Sequence, residues 1–153
     1  MLPMFLQLNG GWNAEPNAPN VRVSIDGCDL LLRFNVNAFQ FSDFKRGEEG
    51  VLRFVDCLQY RLGPTNDEGW YLGQCRFSRS APKWGEFYAV LGDPASTDGP
   101  DDWVVLGSSS KQDRRHYLFY FRDDTFECLA RNCIIEPDDD NSVFRTKKSI
   151  PLI

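Results

Sequence analysis

The sequence predicts an all-β chain, a single antiparallel domain built as a sandwich or barrel of eight or nine strands. Three observations carry this. Phe, Trp and Tyr together number 21 and Ala only 7, a balance that favours strands over helices. Turn signals rich in Gly, Pro, Asn and Asp recur roughly every ten residues, the spacing of sandwiches and barrels. No stretch carries an amphipathic helical period over three turns. The 153 residues suffice for one domain, 1–153, with 137–153 read as an irregular C-terminal segment.

The elements follow in order. Val21 to Val36 reads as a hairpin, with Asp26-Gly27 as a two-residue turn. Pairing Ile25 with Cys28, Val23 with Leu30 and Val21 with Leu32 puts every apolar residue of the first strand beside an apolar partner on one buried face. A long strand over Val51 to Leu62 places Leu52, Phe54, Leu58, Tyr60 and Leu62 on one face, interrupted by Asp56. Asp56 is read first as a strand-edge residue, then as partner to a buried Arg, and last as a site carboxylate. Gly63 to Gly69 is a loop, and Trp70 to Phe77 resumes as a strand. Glu86 to Leu91 and Trp103 to Leu106 are further strands, separated by an acidic loop. The last hairpin runs from Arg115 to Phe121, turns near Asp123-Asp124 and returns from Thr125. Both faces of its first strand are apolar or aromatic, Tyr117, Phe119 and Phe121 against His116, Leu118 and Tyr120, so it is expected in the middle of a sheet covered on each side.

Charge narrows the partners. The net charge is −5, so phosphate backbones are repelled and nucleic-acid binding is not expected. No apolar run approaches the ~18 residues of a membrane span, and no membrane partner is expected. The first charged side chain is Glu15, so the basic region of a secretory signal is missing. Five cysteines at wide spacing, Cys28, Cys57, Cys75, Cys128 and Cys133, do not make a disulfide framework. Cys57, Cys75 and Cys128 are expected free and buried, and a cytoplasmic setting follows from these features. With no Cys-x-x-Cys and a single histidine, no metal or cofactor is implied.

Catalysis by nucleophile and imidazole could use only His116, with Ser108 to Ser110 upstream; no Gly-x-Ser-x-Gly elbow accompanies them. His116 is therefore read as a strand residue that packs or makes one hydrogen bond, and no catalytic residue is assigned. The acids of the 93–102 loop and Asp138 to Asp140 do not follow the EF-hand order and are read as solvated.

The densest group of special residues lies between Asn66 and Tyr88. Glu68, Trp70, Arg76, Trp84, Glu86 and Tyr88 are the candidate binding residues, since Trp, Tyr and Arg are enriched where binding energy concentrates. If they form a surface, at least two of Trp70, Trp84 and Tyr88 should stay partly exposed beside Glu68, Arg76 or Glu86. The favoured reading is a soluble, acidic, non-catalytic module that binds a protein partner, with oligomeric state open. The alternatives are a barrel binding a small ligand or sugar near Trp12, Trp70 and Trp84, and, below that, a hydrolase using Glu68 and Glu86 or His116.

Overall fold

The computed structural model describes residues 3–64, 67–74, 76–79, 83–92, 101–107 and 111–136. They form ten strands: β1 Met4–Gln7, β2 Arg22–Asp26, β3 Asp29–Asn35, β4 Glu49–Val55, β5 Gln59–Pro64, β6 Phe87–Leu91, β7 Val104–Val105, β8 Arg115–Tyr120, β9 Asp124–Ala130 and β10 Asn132–Ile135. One short helix, α1 (Asp67–Tyr71), follows β5. Six strands make a sheet in the order β1-β6-β8-β9-β5-β7, and four make a second in the order β10-β4-β3-β2; every pairing is antiparallel. The fold is thus all-β as expected, and of the two expected architectures it is the sandwich, with ten strands among the described residues where about eight or nine are expected. The described strands do not close into a barrel: the order of each sheet ends in edge strands.

The core forms where the two inner faces meet. Leu30, Leu32 and Phe34 of β3 alternate with half-buried neighbours, and Leu52 and Phe54 of β4 continue the apolar face. They pack on Phe87, Tyr117, Phe119 and Phe126 of the larger sheet, and Trp12 from the segment after β1 stacks on Phe34. Each fully buried aliphatic or aromatic side chain contributes roughly 1.5–3 kcal/mol relative to exposure.

Two long strands serve both sheets. The chain passes from β4 to β5 at Asp56-Cys57-Leu58, and from β9 to β10 at Arg131. Val55 faces Asn132 and Gln59 faces Leu129, so three residues on one strand stand opposite two, Ala130 and Arg131. This is a β-bulge, the device by which paired strands bend from one sheet to another. Asp56 occupies it with φ 51°, in the left-handed region that Asp tolerates better than most residues. Its N–H donates to Asp29 Oδ1 (2.8 Å), and its carboxylate accepts from Arg131 Nε (2.7 Å) and Arg114 Nη2 (2.9 Å). The single long strand expected over Val51 to Leu62 is therefore two, β4 and β5, joined at this bend. Asp56 ends the first and partners the buried Arg114, whose side chain is 1% exposed. The Arg131 hydrogen bond holds the Asp56 carboxyl below the usual carboxylate range, burial opposes this, and Arg114 reinforces it.

The first hairpin corrects the expected register. Ile25 faces Leu30, Val23 faces Leu32 and Asp26 faces Asp29, so the turn residues are Gly27-Cys28 rather than Asp26-Gly27. Gly27 has φ 63° at the first central position, where a type II′ turn calls for Gly. Apolar residues still meet apolar partners, because the register moved by two and kept each side chain on its face. Cys28, however, is exposed at the turn, and Ile25 is 49% exposed beyond the reach of the core. The last hairpin is as expected: β8 lies between β6 and β9, and five of its six residues are buried.

Candidate functional site

Trp70, Phe77 and Trp84, from the excursion between β5 and β6, lie against the outer face of the larger sheet. The outer-face residues Tyr88 and Val90 of β6 and Leu118 and Tyr120 of β8 form a second buried cluster with Trp70, packed by Phe5, Phe77 and Trp84. Trp84 lies 5.1 Å from Tyr120 and 6.0 Å from Trp70, centroid to centroid. Two tyrosine hydroxyls fasten this excursion. Tyr120 donates to the Arg76 carbonyl (3.0 Å), while Tyr88 donates to the Lys83 carbonyl (2.9 Å) and accepts from the Lys83 N–H (3.0 Å). Burial pushes the Tyr88 hydroxyl up to about 12.

Beside the aromatic cluster lies a charged one. Glu127 of β9 has no solvent exposure. Its carboxylate accepts from Arg61 Nη1 (2.7 Å) and Arg76 Nε (2.8 Å), and lies 2.7 Å from His116 Nε2. Burial pushes this carboxyl up, and the His116 contact and Arg76 outweigh it, leaving it below its ordinary range. Arg61 also reaches Asp102 (2.8 Å), whose acidity that hydrogen bond raises. The His116 ring sits between Phe77 and Trp103, at 5.9 and 6.3 Å. Arg76 thus ties the excursion to the sheet, and Asp102 ties down the segment before β7. A carboxylate already holding two guanidinium groups and an imidazole serves as an anchor.

The structure separates the six sequence candidates. Trp70, Trp84 and Tyr88 come together, but Tyr88 is 0% exposed and Trp70 9%, and only Trp84 is partly exposed. The expectation that at least two rings stay accessible therefore fails: the outer face of a six-stranded sheet needed its own apolar cover, and these rings supply it. The stretch from Trp70 to Phe77, expected as a strand, begins instead as the end of α1. Arg76 turns inward to Glu127, and Glu86 accepts from the Asn9 side-chain amide and from Gln7 Nε2. Glu68 is exposed on α1. Trp12 lies in the core between the sheets, so it shares no pocket with Trp70 and Trp84 on the opposite face.

Exposure moves to neighbours that sequence reasoning passed over. Tyr71 is 73% and Leu72 62% exposed, and Tyr71 stands edge-on against Trp70 at 5.1 Å. Glu68, Tyr71 and Leu72 follow the i, i+3, i+4 pattern of one helix face, with Trp70 turned inward. No signal in the sequence marks it, because five helical residues are too few for a period to show. Cys57, Cys128 and Cys133 are free and buried, and burial raises the Cys128 and Cys133 thiols well above their ordinary values. Cys75, Ser108 to Ser110 and residues 137–153 lie outside the described residues. Among those described, no group of three His, Cys, Asp or Glu side chains is placed to hold a metal ion, and no helix is long and apolar enough to cross a membrane. Comparison with protein-family models, with curated proteins and with solved structures finds no match.

Proposed function

We propose that this chain is a non-catalytic protein-binding module of the cytoplasm whose contact patch is the outer face of α1. The observation carrying this is the pair Tyr71 and Leu72, two large side chains exposed by 73% and 62% on a foundation of buried aromatics. Tyr71 is already packed edge-on against Trp70, which reduces the freedom it gives up on binding, and exposed aromatic side chains are favoured anchors. Trp84 joins the patch through Trp70, and Glu68 supplies an acid at its rim. On a chain of net charge −5, the partner is expected to be basic. The filled space between the sheets, closed by Trp12, Phe34, Phe54 and Phe87, argues against the small-ligand barrel. The engagement of Glu86 by Asn9 and Gln7 weighs against a catalytic pair with Glu68.

The test compares capture from a native lysate by the wild-type chain and by the double variant Tyr71→Ala/Leu72→Ala. Both side chains are exposed, so the variant should keep its stability within about 0.5 kcal/mol. At least one protein should be recovered by the wild type and lost, by about tenfold or more, with the variant. Identical recovery of every protein by both would refute the patch.

A further inference from the structure

The six-stranded sheet ends in β7, and among the described residues no strand pairs with its outer edge. Leu106 donates its N–H to the Leu58 carbonyl at 2.8 Å, which fixes the phase of this ladder. Successive residues of an antiparallel strand alternately bond the neighbour and turn their backbone groups away. Val104 therefore exchanges bonds with Tyr60, while Val105, opposite Gln59, turns its N–H and C=O outward. The side chains here are apolar and uncovered: Val104 is 45%, Val105 65% and Leu106 39% exposed. Natural sheets protect such edges with Lys, Pro or inward-pointing charge. The run Trp103-Val104-Val105-Leu106-Gly107 has none of these. The unengaged charge leading into it is negative: Asp102 is taken up by Arg61, exposed Asp101 is not, and no basic residue occurs from Asp101 to Gly107.

We propose that β7 is an acceptor edge for an extended, basic segment of a partner protein. The segment adds as a seventh strand, paired through its main chain to Val105. Its aliphatic side chains cover Val104, Val105 and Leu106, and its Lys or Arg residues lie beside Asp101. A second copy of this chain is the poorer occupant, because pairing two β7 edges brings two acidic approaches together on chains of −5 each. This surface uses none of the residues of the α1 patch.

Fluorescence polarisation with short labelled peptides provides the test, one alternating Val with Lys and one alternating Val with Glu. The Lys peptide should bind saturably, lose affinity as salt is raised, and bind about tenfold or more tightly than the Glu peptide. Val105→Pro removes the outward N–H at a position where an edge strand tolerates proline. It should weaken the Lys peptide by about tenfold or more while the far-UV circular dichroism stays unchanged. Should that variant not fold, a Lys peptide N-methylated on its pairing edge reads the same bond with the wild-type chain, and it should lose binding. No saturable binding of the Lys peptide, equal binding of the Glu peptide, or full binding of the N-methylated peptide would each overturn the proposal. So would a concentration-dependent dimer in sedimentation that Val105→Pro abolishes, since the occupant is then a second copy. Tyr71→Ala/Leu72→Ala should leave peptide binding unchanged, so the two surfaces stand or fall separately.

Discussion

Glu127 is the residue on which the outer layer depends. It is a carboxylate without exposure that joins Arg61 of β5, Arg76 of the excursion and His116 of β8. Replacing buried ion pairs by apolar groups is often harmless, but removing one partner leaves the others charged and unpaired. Glu127→Gln should therefore cost about 3–5 kcal/mol in urea unfolding. Glu86→Gln, at a half-buried position where the partners are neutral amides, should cost under about 1 kcal/mol. Equal costs would mean that Glu127 is not an anchor. The acid itself was visible in Thr125-Phe126-Glu127-Cys128-Leu129-Ala130, one charge within an apolar strand. Its partners were not, because Arg61 and Arg76 lie 66 and 51 residues away and no local period encodes such a pairing. His116 was legible as a packed residue for the opposite reason, since its own strand alternates aromatics on both faces.

At the scale of elements, alternation was read well where a strand has one or two buried faces and poorly where a segment is short. β3 shows itself by alternating faces, and β8 and β9 by apolar residues on both faces. α1 has only five residues, too few for a helical period to show, and the apolar run from Trp70 to Leu72 imitates a strand. The hairpin between β2 and β3 was found with its faces right and its turn one residue early, because Asp-Gly and Gly-Cys both satisfy a two-residue loop that requires positive φ. Thiol chemistry checks the corrected register. Of the four described cysteines, Cys28 should react with a maleimide in the native state, and Cys57, Cys128 and Cys133 only as the chain unfolds. A slow Cys28 would return it to the strand, opposite Ile25.

Across the whole molecule, acid should act in one direction. Glu127, Asp56 and Asp102 all have carboxyl groups held below their ordinary range in the fold. A depressed folded value contributes stability above the unfolded value, about 4 for Asp and Glu, and loses it as pH falls through the folded one. Asp124 has the opposite sign, because burial raises its carboxyl and so favours the folded chain as pH falls. Three groups against one predict a melting temperature that drops steadily below about pH 4. A chain equally stable well below that pH would show that these ion pairs form as readily unfolded as folded.

The bent pair of strands has a consequence for dividing the chain. Residues 49–64 and 124–135 pair along both sheets, one on each side of the bulge at Asp56. Any cut between Pro64 and Asp124 leaves one of these strands in each fragment, and neither fragment holds all the strands of either sheet. Neither fragment is expected to fold alone. Two such fragments are complements of one another, and restoring the seam between them would rebuild both layers in a single event.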